Sequence, residues 1–213
     1  DQILPFSENK DGIVKITDLE FIQNGDWIIC RNVKPLVITN LHLISRGIKS
    51  YIKGSEIGTN LIHIVNRNDA DTVAGMLKNY DFEISCEIEK LKKLGMKKPQ
   101  NSEKIDKMNQ KYDILDIISR GLISTKQLIN KIKEIFKESG EGVMLSTIHK
   151  TKGLENKTIY FLCPELIPSR FATKEWQLQQ EKNLFYVGIT RAKENLFFIP
   201  EIEYKMIEAD FKD

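Results

Sequence analysis

Short apolar runs bounded by turn residues mark strands at both ends of the chain, and a long stretch with helical spacing separates them. Ile13 to Ile16, Trp27 to Cys30 and Ser50 to Ile52 predict the first strands. Between the last two, a helix is expected from about Lys34 to Arg46, with Asn32 as N-cap, Pro35 in the first turn and Gly47 just past the end. A short helix over Ile57 to Val65 follows. Strand, helix and strand so close together predict a right-handed parallel crossover.

From about Asn66 to Gly140 the spacing turns helical. Ala70 to Tyr80, Ile84 to Leu94, Glu103 to Ser119 and Lys126 to Phe136 each predict a helix, with Ser102 and Ser124 as caps. Gly95 and Pro99 break the pattern, which suits a helical hairpin. Lys90, Lys92, Lys93, Lys97, Lys98, Lys104 and Lys107 make this stretch locally basic. They are either the solvated faces of surface helices or an arm facing phosphates.

Strand patterns return at Val143 to Leu145, Thr158 to Cys163 and Leu196 to Ile199, with a helix over about Lys174 to Gly188 whose buried face is Trp176, Leu184, Phe185 and Val187. The polar turn Ser146-Thr147-Ile148-His149-Lys150-Thr151-Lys152-Gly153 follows the first of these strands. The C-terminal edge of a parallel sheet is where α/β proteins bind ligands. There Thr147 and Thr151 offer hydroxyls, His149 a donor or stacking ring, Lys150 and Lys152 charge, and Gly153 a close backbone approach. Glu155 has the wrong sign for a phosphate and better suits a sugar hydroxyl. Arg191, between helix and strand, is either a cation compensating the helix C-terminus or a planar fork for a polyphosphate.

Composition narrows the function classes. The 213 residues, 41% hydrophobic, suffice for a core with one insertion, while 29% charged residues leave a net charge of only +2. Any site for an anion must therefore come from local clustering. Cys30, Cys86 and Cys163 show no metal-ligand spacing, and Cys30 and Cys163 read as buried thiols, so the expected setting is intracellular and cytoplasmic, without disulfides or a metal centre. No apolar run reaches the ~18 residues of a membrane span.

Two stretches are specific enough to carry a family resemblance. TIHKTKGLE, from Thr147 to Glu155, resembles motif V, and LFYVGITRAKENL, from Leu184 to Leu196, resembles motif VI of the second motor domain (2A) of superfamily 1 DNA helicases of the UvrD/Rep type. Ile28 to Asn32 with Pro35-Leu36 is similar to the segment called IVa, and Gly47 to Ser55 to its continuation. The resemblance implies an α/β fold, a RecA-like parallel sheet with helices on both faces and a small helical insertion. Residues 1–66 and 141–213 would form the two parts of the motor domain, and residues 67–140 a reduced 2B-like insertion.

By the same resemblance, Arg191 reaches the γ-phosphate of ATP and Glu155 the ribose. Gly153, Tyr186 and Gly188 border the nucleotide cleft, and Thr147, His149, Lys150 and Lys152 contact single-stranded DNA or a duplex-single-strand junction. Tyr186 reads equally well as a core aromatic, and Arg31 as a structural residue. No GxxxxGK[ST] phosphate loop occurs in the sequence, so ATP with Mg²⁺ is expected to bind mainly to an N-terminal motor domain of the same protein, leaving this chain inactive alone. The family suggests 3′ to 5′ movement. A non-catalytic nucleic-acid-binding or regulatory RecA-like module is the alternative, while a nuclease would need a metal-binding carboxylate cluster that the sequence does not offer.

Overall fold

A computed structural model describes residues 11–209. The outer limits of the two expected motor-domain parts, 1–10 and 210–213, lie outside the described residues. Seven strands form one all-parallel sheet: β1 (Ile13–Ile16), β2 (Trp27–Cys30), β3 (Ser50–Lys53), β4 (Phe136–Lys137), β5 (Val143–Thr147), β6 (Asn156–Leu162) and β7 (Ala192–Ile199), in the order β1-β7-β6-β2-β5-β3-β4. The helices are α1 (Val33–Ser45), α2 (Ser55–Arg67), α3 (Val73–Lys93), α4 (Glu103–Ser119), α5 (Thr125–Ile135), α6 (Glu175–Ile189) and α7 (Glu201–Ala209).

Side chains alternate across the pleat, and the central strands feed two cores. Ile28 and Cys30 of β2, with Tyr160 and Leu162 of β6, join α1, α3, α4 and α5 in the larger one. Ile29, Ile159 and Phe161 point to the other face, where Ile148 and the Leu184, Phe185 and Val187 side of α6 cover them. Helices therefore lie on both faces, as the α/β, RecA-like expectation requires. The helices of 73–135 share the larger core with the sheet, and the short β4 that follows them extends the sheet beside β3.

Several local expectations are corrected. Ala70 to Tyr80 and Ile84 to Leu94 are not two helices but one, α3, because Met76, Tyr80, Ile84, Ile88 and Leu91 hold one unbroken apolar stripe and no glycine or proline interrupts it. The polar Asp81 and Glu83 belong to its outer face. The expected parallel crossover from β2 through α1 to β3 is present and spans one strand, since β5 lies between them in register with both. Asn32 occupies the cap position of α1 without capping it, since its Oδ1 accepts from Arg31 Nη1 at 3.1 Å instead. Trp176 is 57% exposed, on the first turn of α6, two turns before the helix meets the sheet. By contrast Ser102 and Ser124 cap α4 and α5, accepting from the amides of Ile105 and Gln127. α3 and α4 form the expected hairpin, with Tyr80 stacked on Tyr112 and Lys104 paired to Glu87.

Candidate nucleic-acid and nucleotide edges

The connection from β5 to β6 has only eight residues, Ile148 to Glu155, and no helix. Parallel strands ordinarily need a dozen or more residues to cross over. Here a single 3-10 turn, Ile148–Thr151, suffices because Ile148 is fully buried against Ile29 and Phe161, and the Thr151 hydroxyl donates to the Ile148 carbonyl at 2.8 Å. α6 lies over this crossover. Gly188 makes the approach possible, since a Cβ there would stand 2.8 Å from the Phe161 ring and 3.5 Å from Ile148 Cδ1.

This topology divides the residues singled out in the sequence between two opposite edges. Thr147, His149 and Lys150 stand at the C-terminal end of β5. Glu155 and Arg191 immediately precede β6 and β7, at the N-terminal edge, and Gly153 lies on the approach to it. The seven residues of β6 place the edges roughly 20 Å apart. Tyr186 and Gly188 occupy the last turns of α6, just before Arg191.

At the C-terminal edge Thr147 is buried, while His149, Lys150 and Lys152 are exposed. Lys150 pairs with Glu56 at 2.7 Å. His149 borders a cleft of about 560 Å³ between the first half of α4 and the loop 164–171, whose walls include Arg31, Asn32, Asp106, Lys107, Arg170 and Phe171. Desolvation at the cleft wall, reinforced by the Arg31 guanidinium, lowers the imidazole below its ordinary value, with Glu181 pulling the other way. Arg31 donates Nε and Nη2 to the two carboxylate oxygens of Glu181, and Glu181 Oε2 also accepts from the Ser169 amide at 3.0 Å. The Arg31 bond holds the Glu181 carboxyl below the usual glutamate range against the opposing effect of burial. Arg170 pairs with Asp106 across the cleft.

At the N-terminal edge Arg191 is a clamp. Its Nε donates to the Val187 carbonyl at 2.8 Å, Nη1 to the Leu154 carbonyl at 2.8 Å and Nη2 to the Thr190 hydroxyl at 3.0 Å. The end of α6 is thereby tied to the motif V crossover. Glu155 is exposed, 3.7 Å from Lys193 Nζ. Gly153 has φ +82° with open space around it. Tyr186 is 54% exposed, so it is not the ordinary core aromatic that was the other reading.

Sequence reasoning missed the cleft's far wall. Arg170, Phe171 and Asp106 belong to no motif, and only folding brings α4 against the loop 164–171. Glu181 had no role assigned, although its spacing on α6 places it two turns and more ahead of Arg191. Cys30 and Cys163 are buried and in no disulfide, as expected, and burial pushes the Cys30 thiol up to about 12. Among the described residues no helix is long and apolar enough to cross a membrane.

The all-parallel sheet, with helices on both faces and polar residues gathered at both ends of its central strands, is a RecA-like α/β domain. The sequence model of the UvrD-like helicase C-terminal domain matches residues 31–201, and the chain belongs to that family. It is 38% identical over 80 residues to an ATP-dependent DNA helicase Rep of Buchnera aphidicola subsp. Acyrthosiphon pisum, covering 36% of this chain and 12% of that protein. A second Rep, from Buchnera aphidicola subsp. Baizongia pistaciae, is 33% identical over 124 residues, 57% of this chain and 17% of its own length. The Escherichia coli Rep is 38% identical over 63 residues, 29% of this chain and 9% of its own. The chain thus spans under a fifth of each of these relatives.

Proposed function

We propose that this chain supplies the C-terminal motor half of an ATP-dependent DNA helicase or translocase moving 3′ to 5′ on single-stranded DNA, with residues 67–140 as a reduced 2B-like insertion. The observation that carries the reading is the two-edged layout: one helix, α6, and one crossover, 148–155, each touch both the strand-facing cleft and the Arg191 edge. A motor has to couple two such sites.

In this reading His149, Thr147, Lys150 and Lys152 serve the strand at the C-terminal edge. Lys150 would leave Glu56 to do so, and the buried Thr147 would act from beneath. At the other edge the residues fit part of a nucleotide. Glu155 is exposed and would leave Lys193 to accept from ribose hydroxyls, Tyr186 offers an exposed ring, Gly153 leaves open space, and the buried Gly188 would serve only by seating α6 against the crossover. ATP with Mg²⁺ would be held mainly by the N-terminal motor domain of the same protein and would supply the phosphoryl-transfer chemistry. Arg191 would release its carbonyl partners to meet negative charge there.

One observation favours the alternative, a non-catalytic nucleic-acid-binding or regulatory module: Nε and both Nη atoms of Arg191 are already engaged with the protein's own acceptors. Two measurements on the 213-residue chain and on the intact protein separate the readings. The chain alone is expected to bind single-stranded oligonucleotide and release no phosphate from ATP, and the intact protein to hydrolyse ATP when DNA is added. Turnover by the chain alone overturns the half-site reading. An intact protein that binds DNA but never hydrolyses ATP establishes the alternative.

A further inference from the structure

Ten residues, Thr17 to Asp26, carry the chain from β1 to β2 without a helix. Leu19 and Ile22 are buried in the larger core, the Leu19 carbonyl accepts from Arg46 Nη1 at 3.3 Å, and the Gly25 carbonyl accepts from Asn156 Nδ2 at 2.9 Å, so the loop is held at both ends. A loop covers less of a sheet than a helix does. A pocket of about 400 Å³ stays open beneath it, over β1, β7 and β6, within the size range of small-molecule sites. It lies on the face that carries α1, whereas α6, which leads to Arg191, covers the other.

Strand register lays out the pocket in two rows, since paired residues on neighbouring strands project to one face. Asn195 of β7 stands beside Thr158 of β6, and Asp26, at the entry to β2, completes that row. Asn195 Nδ2 donates to Thr158 Oγ1 at 3.2 Å, and the Thr158 hydroxyl in turn donates to the Asp26 carboxylate, which also accepts from the Gln23 amide at 3.0 Å. Lys15, Phe197 and Tyr160 form the second row, with the two rings 5.0 Å apart. Phe21 stands at the rim, 70% exposed. Neither Asp26 nor Lys15 has an ion pair among the described residues. Desolvation holds the Asp26 carboxyl above its ordinary value despite both hydrogen bonds. A carboxylate offers about four acceptor positions, so some remain for a ligand.

We propose that this pocket binds a free guanine nucleotide, with Asp26 accepting from N1–H and the 2-amino group, the ring lying against Phe197 and Phe21, and Lys15 meeting the 5′-phosphate. Opposite charges at the two ends require a ligand with donors at one end and an anion at the other. Three strand spacings and two residues separate Asp26 from Lys15, roughly 16 Å between backbones, too far to be bridged by the ammonium and carboxylate of one amino acid. The aromatic walls require a flat ring between those ends. Among the common bases only guanine sets two N–H donors side by side, matching one carboxylate. Adenine and cytosine place a ring acceptor beside their amino group, which the carboxylate repels, and uracil and thymine flank a single N–H with carbonyls.

The test titrates GMP, AMP and UMP into the 213-residue chain by calorimetry. GMP is expected to bind more tightly than the other two by roughly tenfold or more. Asp26→Asn is expected to weaken GMP by roughly 10- to 100-fold, the span of one lost two-pronged contact to a base, and to accept xanthosine monophosphate in its place. The asparagine amide donates to the C2 carbonyl of xanthine and still accepts from N1–H, and that gain also shows the variant to be folded. Lys15→Ala, on the exposed edge strand, is expected to weaken GMP and leave guanosine unchanged. A parent chain that does not distinguish GMP from AMP overturns the proposal, as does unchanged GMP affinity in Asp26→Asn. Loss of both GMP and xanthosine monophosphate by Asp26→Asn at the parent melting temperature overturns it too. An oligonucleotide of dG that displaces GMP and binds more tightly than it overturns the free nucleotide in favour of a strand. An arginine-bearing peptide that binds in an Asp26-dependent way while GMP does not overturns it in favour of a protein partner.

Discussion

Arg31 and Glu181, 150 residues apart in sequence, form a two-pronged ion pair with Nε–Oε2 2.8 Å and Nη2–Oε1 2.7 Å, at 20% and 13% side-chain exposure. The pair joins the end of β2 to α6 and, through the Ser169 amide, to the loop 164–171. It therefore sets one wall of the cleft against the helix that ends just before Arg191, about 15 Å farther along.

Glu181→Ala is expected to cost about 1.5–3 kcal/mol, the range for hydrogen bonds to charged groups, because Arg31 and the Ser169 amide both lose their acceptor. The pair also has a pH signature. The folded carboxyl titrates below its unfolded value, so its contribution is complete above the ordinary glutamate range and is lost as pH falls through the lower, folded value. Urea unfolding from neutral to acid pH checks both, and a variant whose unfolding midpoint equals the parent's at neutral pH would show the pair to be dispensable.

Gly188→Ala is expected to destabilise although alanine is the better helix former. The added carbon meets the Phe161 ring at 2.8 Å and Ile148 Cδ1 at 3.5 Å. Overpacking of this kind costs about 1–3 kcal/mol, against a helix-propensity gain of up to about 1 kcal/mol. Thermal melting measures the net sign, and a rise in Tm would mean α6 can lift from the crossover freely.

Arg191→Lys separates two roles that the geometry superimposes. Lysine cannot serve Val187, Leu154 and Thr190 together, so the variant should lose stability by about 1–3 kcal/mol. If Arg191 also meets the nucleotide's terminal phosphate, DNA-stimulated hydrolysis by the intact protein should fall by roughly 10³–10⁵. Stopped-flow phosphate release with a parallel melt tests this. Lowered stability with near-normal turnover would leave Arg191 as a clamp alone.

His149 should make strand binding depend on pH. Its imidazole is lowered from about 6.5, so it is neutral at physiological pH and gains charge only in more acidic solution. Affinity of the chain for a single-stranded oligonucleotide is expected to rise from about pH 7.5 to about pH 5.5, and His149→Gln to remove much of that rise. Identical pH profiles for the two proteins would take the imidazole off the strand path.

Features that depend on near neighbours are legible in the chain alone. Strand β2 appears with the predicted bounds and α1 within a residue of them, and Ser102 and Ser124 cap where their spacing from Ile105 and Gln127 says, because such patterns close within a few residues. The motif residues were legible too, because Thr147 to Glu155 and Leu184 to Ala192 are contiguous stretches of chain. Tertiary structure decided what depends on strand order and distant packing. That β5 enters between β2 and β3, that an eight-residue crossover puts Thr147 and Glu155 on opposite edges, and that Asp106 faces Arg170 all follow from long-range pairing, which leaves no local pattern. The charges divide in the same way. Lys90–Glu87, Lys92–Glu89 and Lys107–Glu103 are pairs three or four residues apart on one helix, whereas Lys104 meets Glu87 only because α4 packs beside α3.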